Sequence, residues 1–250
     1  PQRLSHERRR LYLPPHRKKQ METMHVGVLG GTFDPVHNGH IFVAEYVRTH
    51  LGLDRVYLVT AKRPPHKSHH MADAEVRHAM VEAAVKDKHH LVPCRLELDR
   101  AGTSYTVDTF RQLQASLGPD VRLNLIISAE YLNPDSPSWL KNWEEAAELF
   151  KLCRIVVTPR RHMDASIARD WAALLPDADI IIVDLPSPSV SSLMVKRQLK
   201  RQLPIDDLVP PAVAQLMIQQ NIYSTDTVVD SPTVSSPAVS APPPPVASTK

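Results

Sequence analysis

The sequence predicts an α/β fold built on a parallel sheet. Short Val/Ile-rich runs recur along the chain and are continuous rather than alternating with polar residues, as in strands buried on both faces. Stretches with apolar residues three to four apart separate them, and strand–helix alternation over this length calls for parallel order. Glycine placement is the third sign. Four of the seven glycines, Gly27, Gly30, Gly31 and Gly39, fall within residues 27–40, directly after the first run. With 42% apolar residues, 23 prolines and two cysteines in 250 residues, the composition excludes a collagen-like, disulfide-framed or wholly disordered chain.

In chain order, residues 1–23 read as a basic arm. Residues 1–20 carry seven Lys/Arg against Glu7, a local +6, so the net +3 of the whole chain leaves −3 for the rest. The high pI thus belongs to a terminal arm, and a nucleic-acid partner is not expected. The arm has no apolar core of the secretory-signal kind. Residues 25–29 (His-Val-Gly-Val-Leu) form the first strand and 55–59 the second. Residues 72–86 are helical, with few breakers. A helix over 106–117 places Val107, Phe110, Leu113 and Leu117 on one stripe. A strand follows at 123–127, a helix at 139–152, and strands at 154–157 and 180–183. One domain therefore spans 24–223. Residues 224–250 are mostly Ser, Thr, Val, Ala and Pro, with four prolines in a row at 242–245, and are expected to form a disordered tail. No apolar run reaches the roughly 18 residues of a membrane span. Cys94 and Cys153, without a disulfide framework, suit a reducing, cytoplasmic compartment.

In open parallel sheets ligands bind at the carboxyl ends of the strands, so the glycine cluster is the place to look. Paired glycines let the backbone turn sharply and approach a ligand closely. Asp34-Pro35 shapes the loop, and a helix starts near Asn38. His37 and His40, three apart, can project from its first turn beside free N–H groups and the positive end of the helix dipole. Amides, two imidazoles and a helix terminus make a phosphate site. A metal site would need a third ligand close by, and the sequence there offers no third His, Cys or Glu. Neither G-x-G-x-x-G nor a Walker sequence ending in Gly-Lys-Ser/Thr is found.

The run Gly30-Gly31-Thr32-Phe33-Asp34-Pro35, followed by His37, Gly39 and His40, resembles the signature of the HxGH nucleotidyltransferases. Three further segments, in order, resemble the bacterial nicotinate-nucleotide adenylyltransferases: Arg63-Pro-Pro-His-Lys67, Ser104-Tyr-Thr-Val-Asp-Thr109, and Trp139 within Pro137-Ser-Trp-Leu-Lys-Asn-Trp143. Pantetheine-phosphate adenylyltransferases usually carry Thr at the position of His37. The resemblance implies a Rossmann-like parallel sheet with helices on both faces. It implies adenylyl transfer from ATP, with Mg²⁺ on the triphosphate, to nicotinate mononucleotide. His37, His40 and Lys196 would be catalytic. Gly30, Gly31, Thr32, Phe33, Ser128, Glu130, Ser191 and Ser192 would join them around ATP. Thr32, His66, Lys67, Tyr105, Thr106 and Trp139 would hold the mononucleotide, with Trp139 stacked on the pyridine and Thr106 reading the carboxylate through its N–H. Membership of a homo-oligomer stays open.

The chain departs from the family in two places. Ser128-Ala129-Glu130 stands where the family carries Gly-Ala-Asp or Gly-Gln-Asp. Ser191-Ser192-Leu193, followed by Lys196, stands where the family carries Ser-Ser-Thr and then Arg. Lysine keeps the charge but not the planar fork. All these changes fall on the ATP side. They leave two alternatives: a related enzyme with another acceptor, such as nicotinamide mononucleotide, or a nucleotide-binding homologue without turnover.

Overall fold

The computed structural model describes residues 23–62, 71–159, 163–186 and 189–223. In chain order its elements are β1 (Met24–Gly31), α1 (Asn38–Leu51), β2 (Arg55–Thr60), α2 (Ala74–Val85), β3 (Leu91–Cys94), α3 (Leu96–Asp99), α4 (Thr106–Leu117) and β4 (Val121–Ser128). Then come α5 (Ala146–Leu152), β5 (Cys153–Thr158), α6 (Ala165–Ala172), β6 (Ile180–Ile182), α7 (Ser192–Lys200) and α8 (Pro211–Gln219). The six strands pair in parallel in the order β3-β2-β1-β4-β5-β6. The order reverses between β1 and β4, and that switch point opens a crevice at their carboxyl ends.

Continuous apolar strands have the expected consequence: each face of the sheet carries its own core. On one face Leu29, Val56, Leu58, Ile126 and Val156 pack against α1, α2, α7 and α8 through Ala44, Val47, Met80, Val195, Val213 and Met217. On the other, Val26, Val28, Leu123, Leu125, Ile155 and Val157 pack against α4, α5 and α6 through Phe110, Leu113, Leu149 and Ala168. Burial keeps both thiols protonated, pushing that of Cys153 up to about 12.

Three elements differ from the sequence expectation. The helix expected over 139–152 is split: a short 3-10 turn (Leu140–Asn142) stands apart from α5. Glu145 between them adopts a left-handed φ of 47°, which breaks helical continuity. Strand β3 contains Pro93 and pairs with β2 at the sheet edge, where a strand accepts proline. Helix α8 begins on Pro210-Pro211, proline being favoured in a first turn. The arm over residues 1–22, the tail over 224–250, and His66 and Lys67 lie outside the described residues.

Candidate active site

Strand β1 ends at Gly31, and the chain reaches α1 through Thr32 to His37. The sharp turn expected from the glycines is made elsewhere: Phe33 takes the left-handed conformation, φ 49°, while neither Gly30 nor Gly31 does. The conformation costs a non-glycine residue about 1–2 kcal/mol. Burial of the Phe33 ring, 1% exposed in the core, offsets it. The glycines instead keep space. A Cβ on Gly31 would stand 2.9 Å from the Phe33 ring, whereas Gly30 faces open space, where a ligand can approach the backbone. Phe33 can therefore meet a nucleotide only through its main chain.

His37 caps α1 and is buried; His40 lies in the first turn. Their rings stack with centroids 3.7 Å apart, and Phe33 meets His40 edge-on at 5.0 Å. The His37 N–H donates to His40 Nδ1 at 3.2 Å. An accepting Nδ1 leaves Nε2 to carry the proton in the neutral ring. A Cβ on Gly39 would lie 3.0 Å from both the His37 ring and Val190, so the glycine lets this ring fold against the helix. Not every amide expected to be free is free. The Asn38 N–H is taken by the Leu208 carbonyl at 2.9 Å, and its side chain by that of Asp207 at 3.0 Å.

Asp34 does more than shape the loop: it is the hub of the site. It is 8% exposed. Oδ1 accepts from the Ala72 N–H at 3.1 Å and the Tyr223 hydroxyl at 2.6 Å, and Oδ2 accepts from Lys196 Nζ. Lys196 thus arrives at the histidine loop from α7, where Ser192 also donates to the Pro35 carbonyl at 3.0 Å. Ser191 is committed as the α7 cap, accepting from the Met194 N–H. Leu193 is 55% exposed. Beneath the loop lies Arg77, 1% exposed. Its guanidinium donates to the carbonyls of Thr32, Ala61 and Ala72 at 2.6, 2.8 and 2.9 Å, stapling the ends of β1 and β2 to the start of α2. A signal existed: Arg77 occupies the apolar stripe of Met80, Val81 and Ala84, where an arginine needs a reason.

The register of β1 on β4 pairs Leu29 with Ile126, so the loops after both strands leave at one edge. Ser128 ends β4, its buried Oγ without a hydrogen-bond partner among the described residues. Glu130 is exposed and lines an open cavity of about 380 Å³ with Tyr131, Asn133, Ser138 and Trp171. Helix α4 runs back between β3 and β4, so Tyr105 and Thr106 at its amino end lie at the same edge. Among the described residues no side chain caps that end, which leaves first-turn amides for an anion. Its position is fixed from inside: Thr109 donates to buried Glu97 at 2.8 Å and accepts from Arg100 at 2.9 Å. Burial pushes the Glu97 carboxyl up, against the Thr109 and Ser104 hydrogen bonds. The two tryptophans divide their work. Trp143 donates to the Ser138 carbonyl at 3.0 Å and packs on Tyr131, a structural brace. Trp139 is half-buried, its Nε1 has no partner among the described residues, and Lys141 lies 5.3 Å over its ring.

A family model described as cytidylyltransferase-like matches residues 28–198. A protein of Dehalococcoides mccartyi (strain CBDB1) is 32% identical over 206 residues, covering 81% of this chain and 98% of its own. One of Synechococcus sp. (strain JA-3-3Ab) is 36% identical over 201 residues, covering 79% and 94%. Each is named "Probable nicotinate-nucleotide adenylyltransferase". Among solved structures, the nicotinic acid mononucleotide adenylyltransferase of Plasmodium falciparum, complexed with NaAD, matches with a TM-score of 0.64 at 18% identity, over 82% of this chain and 98% of that one. At that identity the likeness is one of fold.

Proposed function

The chain belongs to the nicotinate-nucleotide adenylyltransferases of the cytidylyltransferase-like family, and from that premise we propose that it transfers the adenylyl group of ATP to nicotinate mononucleotide, releasing pyrophosphate and forming deamido-NAD for NAD biosynthesis. The observation that carries this reading is the stacked histidine pair at the head of α1, with Lys196 drawn to the same loop. A phosphate oxygen of the mononucleotide bonds to the α-phosphorus of ATP. In line with it, the bond from that phosphorus to the bridging oxygen of pyrophosphate breaks. The attacking phosphate is already an anion, so no general base is needed. Orientation and neutralisation remain as the protein's work.

His37 and His40 donate to the triphosphate around the α-phosphate, and Lys196 offsets charge on the departing phosphates. Gly30, Gly31, Thr32 and the Phe33 main chain form the floor. Ser128 and Glu130 take the ribose side, and Ser191 and Ser192 the head of α7. On the acceptor side the uncapped amino end of α4 supports carboxylate recognition through the Thr106 N–H, because amides and a helix dipole favour an anion over a carboxamide. Trp139 stacks on the pyridine beside Tyr105, while His66 and Lys67 hold the phosphate. Mg²⁺ enters with ATP as part of the substrate; among the described residues no group of three His, Cys, Asp or Glu converges. Free, buried Cys94 and Cys153 support a reducing, cytoplasmic setting.

The test is pyrophosphate release with ATP, Mg²⁺ and each mononucleotide. Nicotinate mononucleotide is expected to be preferred by at least about tenfold in kcat/KM. Preference for nicotinamide mononucleotide would reassign the acceptor. Binding of ATP without turnover on either would make the chain a nucleotide-binding homologue, the reading favoured by the Lys196–Asp34 pairing and by Leu193.

A further inference from the structure

We propose that Tyr223 is a positioning residue that sets, through Asp34, how firmly Lys196 is held beside the triphosphate. The proposal rests on the adenylyl-transfer reading above. Tyr223 is the last described residue, and it lies 25 positions beyond the 28–198 family match. Its φ of 64° is left-handed, uncommon for a bulky side chain and maintained only where the surroundings impose it. The surroundings are α8 and its turn, in which the Ile222 N–H returns to the Met217 carbonyl at 2.9 Å. The ring packs on the core of the α1 face.

From there the hydroxyl donates to Asp34 Oδ1 at 2.6 Å, while Lys196 takes Oδ2 and sits 4.7 Å over the Tyr223 ring. Tyr223 therefore touches Lys196 twice, once by its π face and once through the shared carboxylate. Burial and the Asp34 charge push the tyrosine pKa well up, so the hydroxyl is always the donor. The consequence follows from charge sharing. Two donors on Oδ1, the Ala72 N–H and the tyrosine, draw density from Oδ2 and fix the plane of the carboxylate. Lys196 is then aimed by Asp34, and an incoming triphosphate competes for it with a carboxylate whose charge two further donors share. Without the hydroxyl, Asp34 keeps the lysine.

The test is a double-mutant cycle of Y223F and K196A on the full chain. It reads kcat/KM for ATP, the KM for nicotinate mononucleotide, binding of a non-hydrolysable ATP analogue, and Tm. Y223F alone is expected to lower kcat/KM for ATP about threefold to tenfold, the size of one hydrogen bond. The KM for the mononucleotide should hardly move, and Tm should fall only by the few degrees, about 2–8 °C, that one lost hydrogen bond costs. In the K196A background Y223F should change ATP parameters less than about twofold, because the route through Lys196 is already cut. Equal losses in both backgrounds, or a lowered Tm that accounts for the loss, would overturn the proposal in favour of a merely structural tyrosine. An unchanged kcat/KM in Y223F would overturn it too. Should the wild type bind ATP without turnover, the acceptor reading fails, and the same cycle in analogue affinity still decides the role of Tyr223.

Discussion

At the scale of single residues the site depends on where two imidazoles are held. Gly39 leaves room for the His37 ring, Phe33 braces His40, and one backbone N–H fixes the His40 ring. A preorganised donor aimed at developing charge is worth about 2.7–4 kcal/mol, or roughly 10²–10³ in turnover. His37→Ala and His40→Ala are each expected to lose that much, mostly in kcat, with smaller changes in KM. Steady-state kinetics beside metal content and Tm check this. A resident zinc ion would instead show as lost metal and lost stability, and normal turnover in both variants would end the adenylyltransferase reading. These two histidines were legible in the sequence because three-residue spacing at a helix start is a local pattern. Asp34 and Tyr223 were not, because their pairing spans 189 residues and no local spacing encodes it.

At the scale of elements, α4 presents its uncapped end to the crevice only because α3 and the turn after it hold its first turns. Glu97 does this from inside, at a cost. Burial raises its carboxyl pKa, so the folded chain binds that proton more tightly than the unfolded chain. The associated stability is therefore undiminished on the acid side of the ordinary carboxylate range and falls as pH rises through the raised value. Glu97→Gln keeps an oxygen for Thr109 and removes the charge. Its Tm is expected to equal that of the wild type near pH 4 and exceed it by on the order of 2–4 °C at pH 8. Parallel pH profiles of Tm for the two proteins would sink this account. Element type was readable wherever burial imposed a long pattern, as in β1, β2, β4 and α4. It was unreadable where the decisive term was not periodic: Pro93 tolerated at an edge, Glu145 breaking a helix, and α8 starting on two prolines.

At the scale of the whole molecule, the sheet and its two cores account for the described fold, and we propose that residues 1–20 and 224–250 add nothing to it. A chain trimmed at both ends is expected to retain its Tm and its kcat/KM, as measured by thermal unfolding and pyrophosphate release. Earlier melting or slower turnover would place one of the segments in the domain. The cut must fall after Tyr223, and that has a consequence for how the protein is made. A ribosome delivers the histidine loop early and Lys196 late, yet the hydroxyl and ring that set the lysine come last of the described residues. A growing chain can therefore lay down all six strands and most of both cores while its lysine is still misheld. Full activity is reached only when the final turn has been translated. A stop codon or protease nick between Gln219 and Tyr223 would yield a polypeptide that has its sheet and α8 but lacks its properly set cation.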